Sequence, residues 1–362
     1  MKALRIALGV IAILAIALAA AAYTLRKPLA ERVFRSVVAD TIGRDRTSDL
    51  ADGLHVYLCG TGSPMPDPQR AGPCVGVLAG KRAFLFDIGS GGARRLARMG
   101  FPVGQLERVY LSHLHSDHFD GLGEILLQAW VGGSRSSPLP ISGPVGVEEV
   151  VAGFNAAYRI DSGYRTAHHG AAVANPAGFG GVATPIQAPI GPAGEAIVVL
   201  DDGGVRITAV RVNHGPIEPA YGYRIEYGGR SVVLSGDTIY SPVLVREAKG
   251  TDVLLHEALA PAMVKDMAAA AASSGQANLS TVLTDIQNYH ATPEDAARAA
   301  KEAGAGALVF YHIVPPLPVA LLYPLFLGDA GKIFDGPIVV GEDGMRLSLP
   351  AGSDELDRRM IR

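Results

Sequence analysis

Leu111-Ser112-His113-Leu114-His115-Ser116-Asp117-His118 is the stretch on which the reading of this chain turns. Six consecutive residues, His113 to His118, hold three imidazoles and one carboxylate. These are the ligand types that divalent zinc takes where its site must stay open for chemistry, whereas closed structural sites favour thiolates. The apolar-rich residues 106–111 predict a strand ending at Ser112, and residues 121–127 predict a loop entering a helix. The ligand candidates therefore fall on a strand-to-helix turn at a sheet edge, where α/β proteins place their sites. His113 and His115, two apart, can reach one metal. Asp117 and His118, past the turn, can reach a second.

Three further candidates each follow an apolar strand: His214 in Val212-Asn213-His214-Gly215, Asp237 in Leu234-Ser235-Gly236-Asp237-Thr238, and His312 after residues 307–311. His-x-His-x-Asp-His with a later His, Asp and His in this order resembles the metallo-β-lactamase-fold hydrolases. Other motifs narrow the likeness to the branch holding ribonuclease Z and the periplasmic arylsulfatases related to it. They are Leu58-Cys59-Gly60-Thr61-Gly62-Ser63-Pro64, Asp87-Ile88-Gly89-Ser90-Gly91, Gly143-Pro144-Val145-Gly146, His256-Glu257-Ala258 and His290-Ala291-Thr292. The resemblance spans about residues 54 to 345 and fills all seven ligand positions.

The resemblance implies an α/β chain folded as a four-layer αββα sandwich. It implies two Zn²⁺ ions, with Mn²⁺ or iron as alternatives. His113, His115 and His214 would hold one ion, Asp117, His118 and His312 the other, and Asp237 would bridge them. Two such ions share an activated water as nucleophile, which Asp117 can also orient. His290 corresponds to the branch's proton donor, with Glu257 holding and charging it; otherwise it is a helix-end neighbour without a chemical role. His256 is either an orienter of ligands or structural. Asp87 steadies the metal loops, the His168-His169 pair lines the substrate entrance or lies in a solvated loop, and His55 is read as surface.

The chain has 362 residues and 48% hydrophobic composition, enough for one large core. Residues 1 to 35 hold Lys2, Arg5, Arg26, Lys27, Arg32 and Arg35 against Glu31, leaving 26 basic and 34 acidic residues in the body, a formal −8. A protein gripping nucleic acid needs a basic surface, and an acidic body argues against one. Lys2 and Arg5 precede an uncharged run over residues 6–25, and Ala20-Ala21-Ala22 offers a cleavage site. Residues 1–25 thus read as a signal peptide or N-terminal membrane anchor, residues 26–52 as a linker, 53–350 as the hydrolase domain and 351–362 as a C-terminal tail. The body is expected to be exported, in the periplasm or anchored to the inner membrane and facing it. Cys59 and Cys74 are read as unpaired core residues rather than a disulfide.

Two helices are predicted, over residues 294–303 with Thr292 as N-cap and Pro293 at the first position, and over the Ala-rich residues 262–277. Residues 314–327 carry four prolines, which excludes a spanning helix. They read as an apolar loop beside His312 that either walls the substrate pocket or packs on the core. Ribonuclease Z enzymes insert a long tRNA-gripping arm between the segment matching Gly222-Tyr223-Arg224-Ile225 and the Gly-Asp-Thr turn. Here Glu226-Tyr227-Gly228-Gly229-Arg230 leads straight into the next strand. With the acidic body and export signal, this favours a small-molecule ester, an aryl sulfate or phosphodiester, as substrate. Nucleic acid is then not an expected partner; a membrane is one through the N-terminal segment, and a second copy of the chain is another. The alternatives are a ribonuclease Z-like tRNA 3′-processing endonuclease or a lactonase on the same fold.

Overall fold

A computed structural model describes residues 2–188 and 195–361. The chain divides into two compact units, Met1–Ser48 and Asp49–Arg362. In the first, helix α1 (Lys2–Thr41) has no buried residue. By length and composition it suffices to cross a bilayer. Residues 26–52, expected as a linker, are thus helical as far as Thr41. Residues such as Leu29, Ala30, Val33, Val37 and Val38 continue the helix-compatible pattern past the charges at Arg26 and Lys27.

The second unit is built on strands β1 (Gly53–Gly60), β2 (Cys74–Ala79), β3 (Arg82–Ile88), β4 (Leu106–Tyr110), β5 (Leu139–Gly143), β6 (Gly181–Pro185), β7 (Ala196–Asp202), β8 (Val205–His214), β9 (Ile217–Tyr227), β10 (Arg230–Leu234), β11 (Val253–Leu259), β12 (Ala307–Val314), β13 (Ile338–Val340), β14 (Met345–Pro350) and β15 (Asp357–Met360). Among the described residues, one sheet runs β15-β14-β1-β2-β3-β4-β5-β6 and the other β13-β12-β11-β10-β9-β8-β7. Each joins an antiparallel half to a parallel half, the change falling at β3–β4 and at β10–β11. The expected tail is not free, because β15 pairs with β14.

Period-two alternation sorts the strand side chains into layers. Phe84, Phe86, Val232, Leu234, Val309 and Tyr311 meet between the sheets. Ala83 and Leu85 face the other way, against α2 (Gly92–Arg98), α3 (Leu122–Gly133) and α4 (Val147–His169). Val233, Leu254, Leu308 and Phe310 pack against α5 (Pro242–Glu247) and α8 (Pro293–Ala303) on the second outer face. Strands covered on both sides read as continuous apolar runs, and the result is the expected four-layer αββα sandwich.

The remaining helices are α6 (Pro261–Ser273), α7 (Ala277–Asp285), α9 (Tyr323–Leu327) and α10 (Ala330–Ile333). The Ala-rich residues 262–277 do not form one helix, because Gly275 adopts φ +75 and breaks the run. Helix α8 has the expected N-terminus, with a full capping box between Thr292 and Asp295. β9 and β10 pair Tyr227 with Arg230 across Gly228 and Gly229, both at positive φ, the two-residue turn that right-handed sheet twist favours.

Three expectations are corrected here. Cys59 and Cys74 form a disulfide, because the antiparallel β1–β2 register that pairs Leu58 with Val75 sets Cys59 opposite Cys74, at the point where the ladder shifts to pair Gly60 with Cys74. His55 is buried, with Nε2 on the Ala51 carbonyl at 2.8 Å. Residues 314–327 are not a plain loop: α9 lies within them, and Phe326 is buried edge-on against Phe310 at 5.4 Å.

Candidate metal centre

The candidate ligands arrive at the same edge of the sandwich from strand ends, except His312, which, expected just past a strand over 307–311, lies within β12, two residues before its end. His113 and His115 follow β4, and Asp117 and His118 sit in the short helical turn Ser116–His118. His214 is the last residue of β8, and Asp237 follows β10. His312 is the extra residue of a bulge, since Glu257 pairs with Tyr311 and Ala258 with Ile313. Its φ of +45 swings it out of the ladder.

His113 Nε2 stands 3.0 Å from His115 Nδ1, which stands 3.3 Å from His214 Nε2. Ligand atoms bound tetrahedrally at about 2.0–2.1 Å would lie about 3.3 Å apart. Asp237 Oδ2 is 3.1 Å from His312 Nε2, 3.4 Å from His118 Nε2 and 4.0 Å from His113 Nε2. Asp117 Oδ2 is 3.4 Å from His312 Nε2 and 3.6 Å from His118 Nε2. These residues make groups able to hold a metal, namely His113 with His115 and His214, His113 with His118 and Asp237, and Asp117 with His118 and His312.

Asp117 Oδ2, His118 Nε2, Asp237 Oδ1 and both ring nitrogens of His312 are buried without a hydrogen-bond partner among the described residues. Orphaned buried atoms are costly. That so many converge here fits a divalent cation, and the donor set suits one. Burial, joined by neighbouring imidazoles, pushes His113 well below the usual histidine range. Burial lowers His115 and His214 too, so all three are neutral, as ligation requires. Burial opposes charge on Asp237, yet His312 and His118 hold its carboxyl well below the usual range. Burial likewise works against a charged His118, but Asp237, Asp117 and Asp87 outweigh it, and the same carboxylates favour a metal cation in place of that proton.

A second tier of groups sets ring orientation. Asp87 accepts from Ser112 N–H at 2.7 Å, from the Ser112 hydroxyl at 2.8 Å and from His118 Nδ1 at 2.8 Å. The steadying role expected of Asp87 is therefore visible as three bonds. His214 Nδ1 donates to the Tyr289 carbonyl at 3.0 Å. Glu257 Oε1 accepts from Thr238 N–H, Ala291 N–H and His290 Nδ1, each at 3.1 Å. Burial opposes charge on His290, but Glu257 and Asp237 raise it to about 9. His256 bonds the Glu257 carbonyl through Nδ1 at 2.7 Å, on a ring that burial keeps neutral, and joins none of the ligand groups. His168 and His169 are exposed at the C-terminal end of α4 rather than in a loop, and they too lie outside those groups.

Two positioning tyrosines escaped the sequence reading. The Tyr223 hydroxyl donates to the Leu111 carbonyl at 2.6 Å, and the Tyr311 hydroxyl accepts from Gly236 N–H at 3.0 Å. Both lie inside apolar strands, where nothing local distinguishes a tether from a core ring.

Residues 82–313 match the family described as Beta-lactamase superfamily domain. A protein named Ribonuclease Z from Mycobacterium avium is 39% identical over 302 residues, covering 83% of this chain and 100% of that protein. Its namesake from Mycobacterium marinum is 35% identical over 300 residues, covering 82% and 99%. In fold, the chain resembles the metallo-β-lactamase-fold protein YhfI from Bacillus subtilis (TM-score 0.58, 21% identity, 82% of this chain and 99% of that one). It equally resembles human tRNase Z, short form (TM-score 0.58, 23% identity, 82% and 99%). The chain belongs to the metallo-β-lactamase superfamily and is a metal-dependent hydrolase. Within that superfamily it falls in the ribonuclease Z branch.

These relatives overturn the expectation of a small-ester substrate without a nucleic-acid partner. That expectation leaned on the missing arm together with the acidic body and the export signal. Yet the 302 matched residues take in the whole M. avium protein, so a long arm does not separate the two chains.

Proposed function

We propose that this protein is a metal-dependent RNA phosphodiesterase of the ribonuclease Z type, acting at 3′ extensions of tRNA-like substrates. What carries the reading is the match to a protein of that name over its full length. The residues fit two Zn²⁺ ions, one with His113, His115 and His214 and one with Asp117, His118 and His312, Asp237 lying between the two sets. Bound there, such a pair of ions would lower the pKa of a shared water and steady both the attacking and the leaving oxygen. Asp117 orients the incoming water. His290, with Nδ1 committed to Glu257, carries a proton on Nε2 for the oxygen that leaves phosphorus. Asp87 and Ser112 keep the His118 ring turned toward the site.

A second proposal concerns place. The uncharged run over residues 6–25 within α1, and a disulfide of the kind that persists in oxidising compartments, support a catalytic unit held outside the cytoplasm.

The function is tested with metal-loaded protein and a precursor tRNA carrying a 3′ extension. The expected outcome is cleavage at the base of the extension, abolished by Asp237→Ala and by chelation. Uncut RNA under conditions where the same preparation hydrolyses a bis-aryl phosphate would overturn the RNA assignment.

A further inference from the structure

Cys59 is the penultimate residue of β1 and Cys74 opens β2, so their bond closes the base of the loop over residues 60–73. Both sulfurs are buried. That loop braces two of the segments that carry ligands. The Thr61 carbonyl accepts from Ile313 N–H at 3.0 Å, the residue after His312. Thr61 itself is fastened by its N–H and hydroxyl to Asp343, which also takes Ala71 N–H. At the other end Gly72 donates to the Ser90 carbonyl and Gly89 to that of Pro73. Gly72 and Gly89 both press against the Asp117 carbonyl; a Cβ at Gly72 would lie 3.0 Å from it. Cys74 pairs in register with Ile88, beside the Asp87 that orients His118.

Asp117, His118 and His312 thus share one support, whose ends the disulfide ties together. The three-histidine set is built differently. His214 hangs from Tyr289, and His113 touches Ser112, which is held by Asp87 and has no hydrogen bond to the loop among the described residues. Among the described residues no hydrogen bond joins loop 60–73 to His113, His115, His214 or a residue beside them, whereas Ile313, beside His312, is bonded to Thr61.

We propose that Cys59 and Cys74 are positioning residues for one metal subsite. Their disulfide is what gives Asp117, His118 and His312 high affinity, while the three-histidine subsite fills in either redox state. The proposal rests on the two-metal reading above. It makes the chain fully loaded only after oxidation, which ties competence to compartment. In that step both thiols give up their protons and one electron each, the S–S bond forms, and glutathione disulfide as oxidant leaves as two glutathione thiols.

The test uses the full chain prepared with both thiols free, as counted by thiol titration, and the same preparation after oxidation with glutathione disulfide. Each is titrated with zinc and analysed for bound metal. The oxidised chain is expected to hold two ions. The thiol form should hold one tightly and the second about 10–100-fold more weakly, the range for losing an outer support of a ligand. Cys59→Ser/Cys74→Ser gives a second route to the unlinked loop and should match the thiol form, unmoved by oxidant. Two ions held with equal affinity in both redox states overturn the proposal alone. A single ion in the oxidised chain overturns the two-metal reading and the proposal with it.

Discussion

His290 stands at the point where two roles meet. It is bonded to Glu257 as a proton donor would be, yet it also lies within ligand reach in groups with Asp237 and His214 and with Glu257 and His312. His290→Gln separates the two. A proton donor is expected to lose about 10²–10⁴-fold in kcat with bound metal unchanged. Metal analysis showing a parallel loss of ions would make His290 a ligand instead. A second residue-scale prediction follows from Gly89, where a Cβ would fall on the Asp117 carbonyl oxygen and on Gly72. No flexible side chain can yield there, because the obstacles are backbone. Gly89→Ala should cost about 1–3 kcal/mol, the range for overpacking, readable as a lowered urea midpoint. It should also weaken metal binding by shifting Asp117.

At the scale of an element, residues 314–327 show how composition misleads. Its apolar residues do not act together. Phe326 is buried against Phe310, and Leu322 is half-buried on the same cluster. Val319, Leu321 and Leu325 are exposed, Leu321 at 86%. The core therefore claims part of a segment that had also been a candidate pocket wall. Phe326→Ser should cost roughly 3–5 kcal/mol, as large-to-small changes of a buried aromatic do, and lower Tm whatever the substrate. Leu321→Ser should leave stability within about 0.5 kcal/mol. Thermal melts of the two variants decide it, and equal losses would mean that the segment packs otherwise.

For the whole molecule, the open issue is the side of a membrane on which the catalytic unit works. Helix α1 carries an uncharged stretch of the length a bilayer needs, preceded by Lys2 and Arg5. A reporter fused after residue 52 is expected to be active outside the cytoplasm, and deletion of residues 2–48 should keep it inside. Reporter activity confined to the cytoplasm would remove the export proposal and leave the ribonuclease Z reading intact. The formal −8 of the body bears on the same scale. It says that phosphate contacts must come from a local patch, and it does not decide the substrate class, because net charge averages over surface the RNA never meets.

The sequence by itself determined what depends on local chemistry. The ligand types at His113, His115, Asp117, His118, His214, Asp237 and His312, each near the end of an apolar strand, were legible because a strand's end and a ligand's donor atom are properties of a few neighbouring residues. The capping box at Thr292 and the Gly228-Gly229 hairpin were legible for the same reason. Tertiary structure alone decided what depends on which strand lies beside which. Cys59 meets Cys74 through the β1–β2 register, and His55 is buried on a strand that lies between Leu78 and Ser348. His312 reaches the site through a bulge measured against β11. Tyr223 and Tyr311 tether ligand loops from within strands that read as plain core. In each of these the partner is distant in the chain, and no pattern in the residues' own neighbourhood carries its identity.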